Sequence, residues 1–429
     1  MKVFIETYGC SANVNDSEIM AGLLSREGHQ IVAAAEEADA IIVNTCTVKG
    51  PTEDKIRSRV KQLRDKSNTK LIVAGCMAEA QTASVQKLAP DAAIIGTHKI
   101  GAIVAVVEGR KKVAVGSNGV NKPSLPKINV NNLVSIIQIN EGCLAACSFC
   151  ITKLARGNTF SYPIGTIRNS VEDAVISGCR EIWLTSQDTG TYGLDRRANL
   201  PQLLQNICGV EGDFFVRVGM MNPTLANYML QPLIDSFKNG KVFKFLHIPL
   251  QAGNNKVLAA MGRGYNVETF KKIVAEFRKH LPQITIATDI ICGFPTESNV
   301  DFNETLAAVE EVKPDVVNIS RFWPRPGTGA AEMKKLPDDV VMGRSRKLHS
   351  LARKIALENN QKWTGWKGKI VVDEKGKVPG TFVGRNFAYK PVVISSEENL
   401  LGRLIEVEIT GTAATCLNGK IIPLQAALL

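Results

Sequence analysis

The sequence of 429 residues lacks any apolar run of about 18 or more residues, which excludes a helix that crosses a membrane. Its start, MKVFIETYGC, lacks the basic and then apolar pattern of a secretory signal. No repeat of the solenoid kind is visible either. These absences predict a cytoplasmic protein without a membrane partner. In that reducing compartment, the ten cysteines are expected to be metal ligands or buried thiols rather than disulfides.

The bulk composition predicts a basic protein of two or three domains, because 45% of its residues are apolar and its net charge is +11. Two stretches carry the excess charge. Residues 49–70 contain eight Lys or Arg against three acids, and residues 321–362 contain ten against four. An acidic partner is therefore expected, with nucleic acid as the first candidate. The alternative is a pair of solvated helix faces in a basic protein without a polyanion partner.

Three cysteines form a C-x3-C-x2-C pattern after an apolar alternating run, residues 134–139, that predicts a strand. They are Cys143, Cys147 and Cys150. Three thiolates on so short a loop can hold three corners of a four-iron, four-sulfur cluster and leave the fourth iron open for a cofactor. A structural zinc site needs a fourth Cys or His nearby, and the nearest histidines are His98 and His247. An adventitious zinc or redox cysteine cluster is the alternative.

Three further cysteines follow predicted strands in the first 110 residues or so, where apolar runs alternate with amphipathic helices near Asp16–Glu27 and Thr52–Arg64. Cys10 follows VFIETYG, Cys46 follows IIVNT and Cys76 follows LIVAG. The alternation predicts a doubly wound α/β domain with a parallel sheet. Since the carboxyl ends of parallel strands meet at one edge, the three thiols can converge there. From the residues alone, three unrelated core cysteines are an equal alternative.

The rest of the chain predicts two further domains. Six strand-like runs alternate with helical patterns between residues 133 and 325, which predicts a partial (β/α)6 barrel, short of the eight units that close one. The runs are SIIQIN, EIWLT, FFVRVG, FKFLHI, TIATDII and VVNISRF. From residue 365, alternation with frequent glycine predicts a small all-β barrel. The predicted limits are 1–117, a linker rich in Asn, Pro and Lys at 118–132, 133–362, and 363–429.

These motifs carry a resemblance to a known family. The three-cysteine loop resembles that of the radical S-adenosylmethionine (SAM) superfamily, and EGCLAACSFC followed by TKLARG is similar to the methylthiotransferases, particularly their archaeal and eukaryotic transfer-RNA branch. Bacterial members usually have proline where this chain has Lys153. YGCSANVND, NTCTV and AGCMA match the family's three N-terminal cysteine sites. The last domain, with GRNFAYKPVVI, resembles the TRAM domain, an OB-like RNA-binding module.

The resemblance implies two 4Fe-4S clusters and SAM as cofactors. Cys143, Cys147 and Cys150 would hold the cluster that cleaves SAM to a radical, and Cys10, Cys46 and Cys76 an auxiliary cluster. The implied reaction converts N6-threonylcarbamoyladenosine next to the transfer-RNA anticodon to its 2-methylthio form, with one SAM as methyl donor and one as radical source. Transfer RNA, an electron donor and a sulfur source are the implied partners.

Three alternatives stay open for the function. A ribosomal-protein aspartate or isopentenyladenosine in transfer RNA could be the substrate instead. From a different class, an iron-sulfur RNA-binding protein without turnover is possible on the same residues.

Further site residues are predicted from strand-end loops and residue types. In the loop TSQDTGTYG, Ser186, Gln187 and Asp188 are predicted to bind the SAM amino and carboxylate groups, an ordinary βα turn being the alternative. Arg325 is predicted to bind the SAM carboxylate or a phosphate through its planar fork, unless it is a solvated surface arginine. The predicted RNA contacts are Lys153, Arg156, Arg385, Phe387, Tyr389 and Lys390. The remaining cysteines, expected to be buried small residues, are Cys179, Cys208, Cys292 and Cys416.

Overall fold

The first unit of the computed structural model, which describes residues 1–65, 69–117 and 119–422, is a parallel sheet between two layers of helices. Its strands are β1 (Lys2–Thr7), β2 (Gln30–Ile31), β3 (Ala40–Thr45), β4 (Lys70–Gly75), β5 (Ala93–Ile95) and β6 (Val113–Ala114). Its helices are α1 (Ser11–Arg26), α2 (Gly50–Arg64), α3 (Cys76–Ala80), α4 (Thr82–Leu88) and α5 (Ile103–Val107).

The strand order of this sheet places the cysteine loops at one ligand-binding edge. Within the described residues the order is β2-β1-β3-β4-β5-β6, with every pairing parallel. All of β3 is buried, because separate apolar clusters cover the two faces of the sheet. The strand order reverses at β1, because β2 lies on one side of it and β3 on the other. Such a switch point opens a crevice at the carboxyl edge of the sheet. The predicted doubly wound domain is confirmed.

The central unit contains the predicted partial barrel. Its strands are β7 (Val134–Gln138), β8 (Asn140–Glu141), β9 (Phe160–Ser161), β10 (Glu181–Thr185), β11 (Phe215–Val218), β12 (Phe245–His247), β13 (Thr285–Cys292) and β14 (Val316–Arg321). Its helices are α6 (Thr152–Arg156), α7 (Ile164–Ile176), α8 (Leu200–Cys208), α9 (Pro223–Tyr228), α10 (Leu230–Phe237), α11 (Asn255–Ala260), α12 (Val267–His280), α13 (Asn299–Val312) and α14 (Asp338–Gln361).

The barrel strands form two parallel sheets in series. In the described chain the first has the order β11-β10-β7 and the second β12-β13-β14, and a single parallel bridge between Val216 and Val242 joins them. Each predicted run overlaps one of these strands, so the predicted partial barrel is confirmed. The largest apolar cluster fills the space between these sheets and the surrounding helices.

The last unit is a closed barrel. Its strands are β15 (Lys367–Lys375), β16 (Thr381–Arg385), β17 (Pro391–Ser395), β18 (Leu404–Thr412) and β19 (Leu417–Ile421). They close in the order β15-β16-β17-β19-β18 around an apolar core, which confirms the predicted small all-β barrel. Helix α14 packs against both β14 and β18 and so joins this barrel to the central unit.

The segment predicted as a linker packs against the first unit. Lys122 is 1% exposed, and a Cβ on Gly22 of α1 would lie 2.4 Å from the Pro126 carbonyl oxygen. Asn118 of this linker and residues 423–429 of the predicted last domain lie outside the described residues. The domain limits therefore stay predictions.

Candidate active site

The carboxyl edge of the first sheet brings Cys10, Cys46 and Cys76 together. Each follows its strand within three residues. A Cβ on Gly9 would lie 2.8 Å from the Cys46 Cβ and 3.0 Å from its Sγ, so the loop of Cys10 crosses directly over Cys46. Cys46 and Cys76 are each 5% exposed, whereas Cys10 is open to solvent. Burial, with smaller contributions from the neighbouring thiols, raises the pKa of Cys76 to about 12.

The second cysteine loop lies beyond the carboxyl end of β7, and its thiols are half-buried. Two backbone hydrogen bonds fix the middle of the loop: Ser148 N donates to the Met261 carbonyl at 3.0 Å, and Ala330 N donates to the Ser148 carbonyl at 2.7 Å. Arg263 Nη1 donates to Cys147 Sγ at 3.0 Å. The segment after β14 and the loop after α11 therefore hold the second cysteine loop in place.

The predicted SAM-binding residues lie beside this loop. Gln187 Oε1 accepts a hydrogen bond of 2.8 Å from the backbone N of Gly142, which precedes Cys143. Ser186 Oγ accepts from Asp188 N at 3.0 Å. Asp188 is 3% exposed, and its Oδ1 accepts from the backbone of Gly190 and Asn222 at 3.0 Å each. Burial raises the pKa of Asp188 to about 6 despite these donors.

Arg156 joins the two cysteine loops. It ends α6, the short helix of the second loop, and is 1% exposed. Its Nη2 donates to Asn13 Oδ1 at 2.8 Å and to Asp16 Oδ2 at 2.7 Å, and Asn13 Oδ1 also accepts from Cys76 Sγ at 3.5 Å. The guanidinium lowers the pKa of the buried Cys76 thiol, although burial outweighs it. The guanidinium is buried between the two units, which argues against an RNA contact by Arg156, although that contact stays a prediction.

A buried network of ionised groups extends from Arg156. Lys122 Nζ lies 2.7 Å from Asp16 Oδ1 and also pairs with Glu141 Oε1. His98 Nδ1 lies 3.0 Å from Glu141 Oε2. Burial alone would raise the pKa of Glu141, but Lys122, His98 and Arg156 together hold it well below its ordinary value. The carboxylates of Asp16 and Glu141 thus face two cations, Lys122 and Arg156.

Each of the two loops contributes three thiols, the ligand type that holds iron-sulfur clusters. Within residues 1–65, 69–117 and 119–422, no three His, Cys, Asp or Glu side chains lie close enough to bind one ion. A four-iron cluster takes each thiolate on a different iron, so its ligands stand further apart. Gly9 and Gly75 precede two of the cysteines at φ of +109° and +88°. Coordination deprotonates a thiol outright, which overcomes the raised pKa that burial causes.

Arg325, predicted to bind a carboxylate or phosphate of a ligand, is instead bound inside the protein. It is 4% exposed, its Nη2 donates to Thr47 Oγ1 at 2.7 Å, and it pairs with Glu53. Burial disfavours the charge of Glu53, yet Arg325 and Arg57 lower its pKa below the ordinary value. Nη2 of Arg325 thus already holds a carboxylate of α2, and the cofactor contact of Arg325 stays a prediction.

The cations predicted to bind RNA in the last domain lie at its interface with the barrel. Lys390 is 5% exposed, and its Nζ contacts Asp315 Oδ1 at 2.7 Å and Asn360 Oδ1 at 3.0 Å. Arg385 pairs with Asp373 at 3.3 Å and with Glu374 at 2.8 Å. Each cation already has an acidic partner, which argues against phosphate binding by either one, and the two RNA contacts stay predictions.

The two aromatic residues of the same segment, Phe387 and Tyr389, are half-buried. The Tyr389 ring packs against Phe243 and Phe245, with centroids 4.8 and 5.1 Å apart, and Arg217 lies 5.2 Å from its centre. Phe387 packs against two tryptophans of the barrel core, Trp363 and Trp366. Both rings are therefore partly used in packing within the protein, and their stacking on RNA bases stays a prediction. Lys153 is half-buried and stays a predicted RNA contact.

Several residues at the site were missed by sequence reasoning. Arg263 belongs to the glycine-rich motif GRGY in the loop after α11, and that motif was the signal that could have found it. Asn13 and Asp16 stand in YGCSANVND, close to Cys10. Lys122 and Glu141 are distant in sequence, and no local pattern brings them together. Of the remaining cysteines, Cys179 and Cys292 are buried as predicted, whereas Cys208 and Cys416 are half-buried.

The fold and the second loop define the class of protein. Residues 137–309 match the radical SAM superfamily, and residues 2–96 match the family described as Uncharacterized protein family UPF0004. The fold is similar to that of the radical S-adenosylmethionine methyltransferase TsrM from Kitasatospora setae, with a TM-score of 0.56 and 13% identity over 77% of this chain and 76% of that one. This chain is a radical SAM protein, a class that binds SAM and a 4Fe-4S cluster.

Relatives along nearly the whole chain identify the family. The chain is 42% identical over 429 residues to the probable threonylcarbamoyladenosine tRNA methylthiotransferase of Pyrococcus horikoshii, covering 98% of this chain and 100% of the relative. It is 38% identical to the human threonylcarbamoyladenosine tRNA methylthiotransferase, covering 98% of this chain and 74% of that one. The chain belongs to the threonylcarbamoyladenosine tRNA methylthiotransferases, which confirms the family predicted from the motifs. No helix in the described residues is both long and apolar enough to cross a membrane.

Proposed function

We propose that this chain converts N6-threonylcarbamoyladenosine next to the transfer-RNA anticodon to its 2-methylthio form. The observation that carries the proposal is the joining of two three-cysteine loops by Arg156, in a chain whose archaeal and human relatives are named for this activity. Those names favour this substrate over isopentenyladenosine and over a ribosomal-protein aspartate.

The second cysteine loop is the proposed site of radical formation. Three thiolates, from Cys143, Cys147 and Cys150, would hold a 4Fe-4S cluster with an open iron for SAM. When bound, this cofactor supplies a radical that can attack an unactivated aromatic C–H, which no side chain can deprotonate at neutral pH. The chain's own groups position the loop, since Gln187 holds its first backbone N–H and Arg263 holds a thiol.

Ser186 and Asp188 are proposed to bind the amino group of SAM. Asp188 uses Oδ1 for two backbone donors, and these bonds fix its carboxyl group beside the cysteine loop. The Ser186 hydroxyl orients the same turn through its bond to the backbone N of Asp188. A preorganised acceptor of this kind binds an ammonium group without rearranging.

The first cysteine loop is the proposed auxiliary site, where Cys10, Cys46 and Cys76 would hold a second 4Fe-4S cluster. Cys10 is exposed, so this site opens toward an incoming substrate, and Ser11 Oγ lies 2.7 Å from Thr185 Oγ1 at the end of β10. The residue after Cys10 therefore contacts the residue before Ser186. This adjacency supports delivery of sulfur and radical to one base. One SAM would serve as methyl donor and another as radical source, with an electron donor and a sulfur source as outside partners.

Anaerobic reaction of the iron-loaded chain with SAM, a reductant and transfer RNA carrying N6-threonylcarbamoyladenosine tests the proposal. We expect 5′-deoxyadenosine and the 2-methylthio nucleoside, both identified by mass spectrometry. Transfer RNA without the threonylcarbamoyl group is the matched control and should give no methylthio product. Intact iron sites without 5′-deoxyadenosine would instead indicate an RNA-binding protein without turnover.

A further inference from the structure

Three of the four cations predicted to bind RNA, and Arg325, which was predicted to bind SAM or a phosphate, already have acidic partners inside the protein. Arg156, Arg325, Arg385 and Lys390 each pair with at least one acid of another element. A cation that already holds a buried carboxylate cannot also replace the counterions of an RNA phosphate. The positive charge that faces a polyanion must therefore come from other residues.

A basic groove lies between β14 and α14. It has a volume of about 310 Å³ and is lined by Ile319, Arg321, Met342, Ser345, Arg346 and His349. Both arginines and the histidine are exposed. In the part of the chain that the structure describes, neither arginine has an ion-pair partner. The groove thus presents unneutralised donors of the fork type that pairs with phosphate.

An exposed tryptophan extends this groove toward the cysteine loops. Trp323 follows Arg321 by two residues and is 46% exposed. A Cβ on Gly50 would lie 2.5 Å from two atoms of its ring, so the indole rests directly on the first residue of α2, four residues after Cys46. Lys335 Nζ lies 5.4 Å from the ring centre. The buried pair of Arg325 with Glu53 fixes the chain two residues further on.

We propose that Trp323 stacks on an unpaired base of the RNA substrate and that the groove of Arg321, Arg346 and His349 binds the adjacent phosphates. The inference rests on the proposed function and specifies how RNA approaches the site. Single-stranded nucleic acid is bound by aromatic platforms beside basic grooves, because every base has a face that stacks. The indole packs on Gly50, four residues after Cys46, so a base stacked on its exposed face would lie near the first cysteine loop.

Binding of a synthetic anticodon stem-loop RNA to the full iron-loaded chain, measured by fluorescence anisotropy at several salt concentrations, tests the inference. Trp323→Ala should weaken binding roughly 10- to 100-fold, and Trp323→Phe should restore most of the affinity, because base stacking on an aromatic ring contributes this much. The double variant Arg321→Ala/Arg346→Ala should reduce the slope of log affinity against log salt by about 1.5, since two phosphate contacts are lost.

Matched controls separate a local effect from a general one. Tyr228→Ala removes an aromatic ring that is 84% exposed elsewhere, and Arg26→Ala/Arg403→Ala removes two exposed cations that pair with glutamates. Both should bind as the unaltered chain does. Equal loss in the controls and the test variants, or unaltered binding by Trp323→Ala and the Arg321/Arg346 variant, would overturn the inference.

The binding assay needs no turnover, so the inference and the proposed function fail separately. A chain that binds RNA through this groove but forms no methylthio nucleoside contradicts the proposed function alone. A chain that forms the product while Trp323→Ala retains full affinity contradicts the inference alone. Thermal unfolding of each variant verifies that a loss of affinity does not come from misfolding.

Discussion

Arg156 shows how one side chain can position two sites. It follows Cys150 by six positions in the chain, and its guanidinium reaches Asn13 and Asp16 of the first unit. Since Asn13 also accepts from Cys76, movement of the second loop would disturb the Cys76 thiol of the first. The planar fork is essential here, because one ammonium group cannot meet two separate acceptors with the same geometry.

Removal of this fork should destabilise the protein. We predict that Arg156→Gln lowers the free energy of unfolding by about 3 to 5 kcal/mol, because it leaves a buried carboxylate with one cation fewer. Arg156→Lys should lose less, since it keeps the charge. Urea denaturation followed by circular dichroism measures the change. Arg403→Gln, whose side chain is 56% exposed, is the control and should cost no more than about 1 kcal/mol; equal effects of Arg156→Gln and Arg403→Gln would contradict the positioning role.

Gly9 gives a second prediction at the scale of one residue. Gly9→Ala should lower the iron content of the chain by up to about half, because its Cβ would collide with Cys46 at 2.8 Å and displace the Cys10 loop. Gly28→Ala is the matched control: it also has a positive φ, +81°, but its Cβ would meet nothing within 4 Å. Iron analysis after anaerobic reconstitution should therefore separate the two variants. Full iron content in Gly9→Ala would show that the loops need no such close approach.

At the scale of elements, the strands were predictable and the start of α1 was not. Strands β3 and β4 are apolar runs because both faces of their sheet are covered, and this signal is local. Helix α1 begins at Ser11 rather than near Asp16. Its first turns bury Asn13, Asn15 and Asp16, polar residues that show no apolar periodicity, because they bond to groups of β7 and α6.

The contacts between domains also escaped prediction, for the same reason. The segment of Arg385 and Tyr389 resembles an RNA-binding loop in residue type, with cations and aromatics close together. Asp315, the partner of Lys390, and Phe243, the partner of Tyr389, stand more than 70 residues away, so only the fold reveals these contacts. Local patterns located the cysteine loops, whereas long-range pairing decided which cations remain free.

The interface between β10 and the last barrel should make stability depend on pH. Glu181 and Asp373 are buried close together, with Arg385, Arg217 and Glu374 around them. Burial and the neighbouring acid raise the pKa of Glu181 to about 8, and burial raises that of Asp373 to about 6. Because the folded state binds these protons more tightly than the unfolded state, the stability they contribute is present at low pH and is lost as pH rises through these values.

We therefore predict that the free energy of unfolding decreases between pH 5 and pH 8.5, and that Glu181→Gln reduces this decrease. A glutamine keeps the bond from Trp183 Nε1, which lies 2.9 Å from Glu181 Oε2, and cannot ionise. Glu374→Gln, on the exposed side of the same group, is the control. Urea denaturation at several pH values measures both, and an identical pH dependence in Glu181→Gln and the unaltered chain would contradict the explanation.

At the scale of the whole molecule, two basic stretches carry the entire excess charge of the chain, and both lie near the cysteine loops. One begins next to Cys46, and the other includes Trp323 and α14. The net charge predicted a polyanion partner from composition alone. The fold places the Trp323 ring of the second stretch directly on Gly50 of the first, so the two stretches meet at this point.

The central proposal, two cluster sites with different tasks, is tested most directly by one measurement on two triple variants. We predict that Cys10/Cys46/Cys76→Ala retains about half of the iron, still cleaves SAM to 5′-deoxyadenosine with a reductant, and forms no methylthio nucleoside. Cys143/Cys147/Cys150→Ala should retain the other half and cleave no SAM. Unchanged iron in the first variant, or methylthio product from it, would contradict the existence of a second cluster that supplies the sulfur.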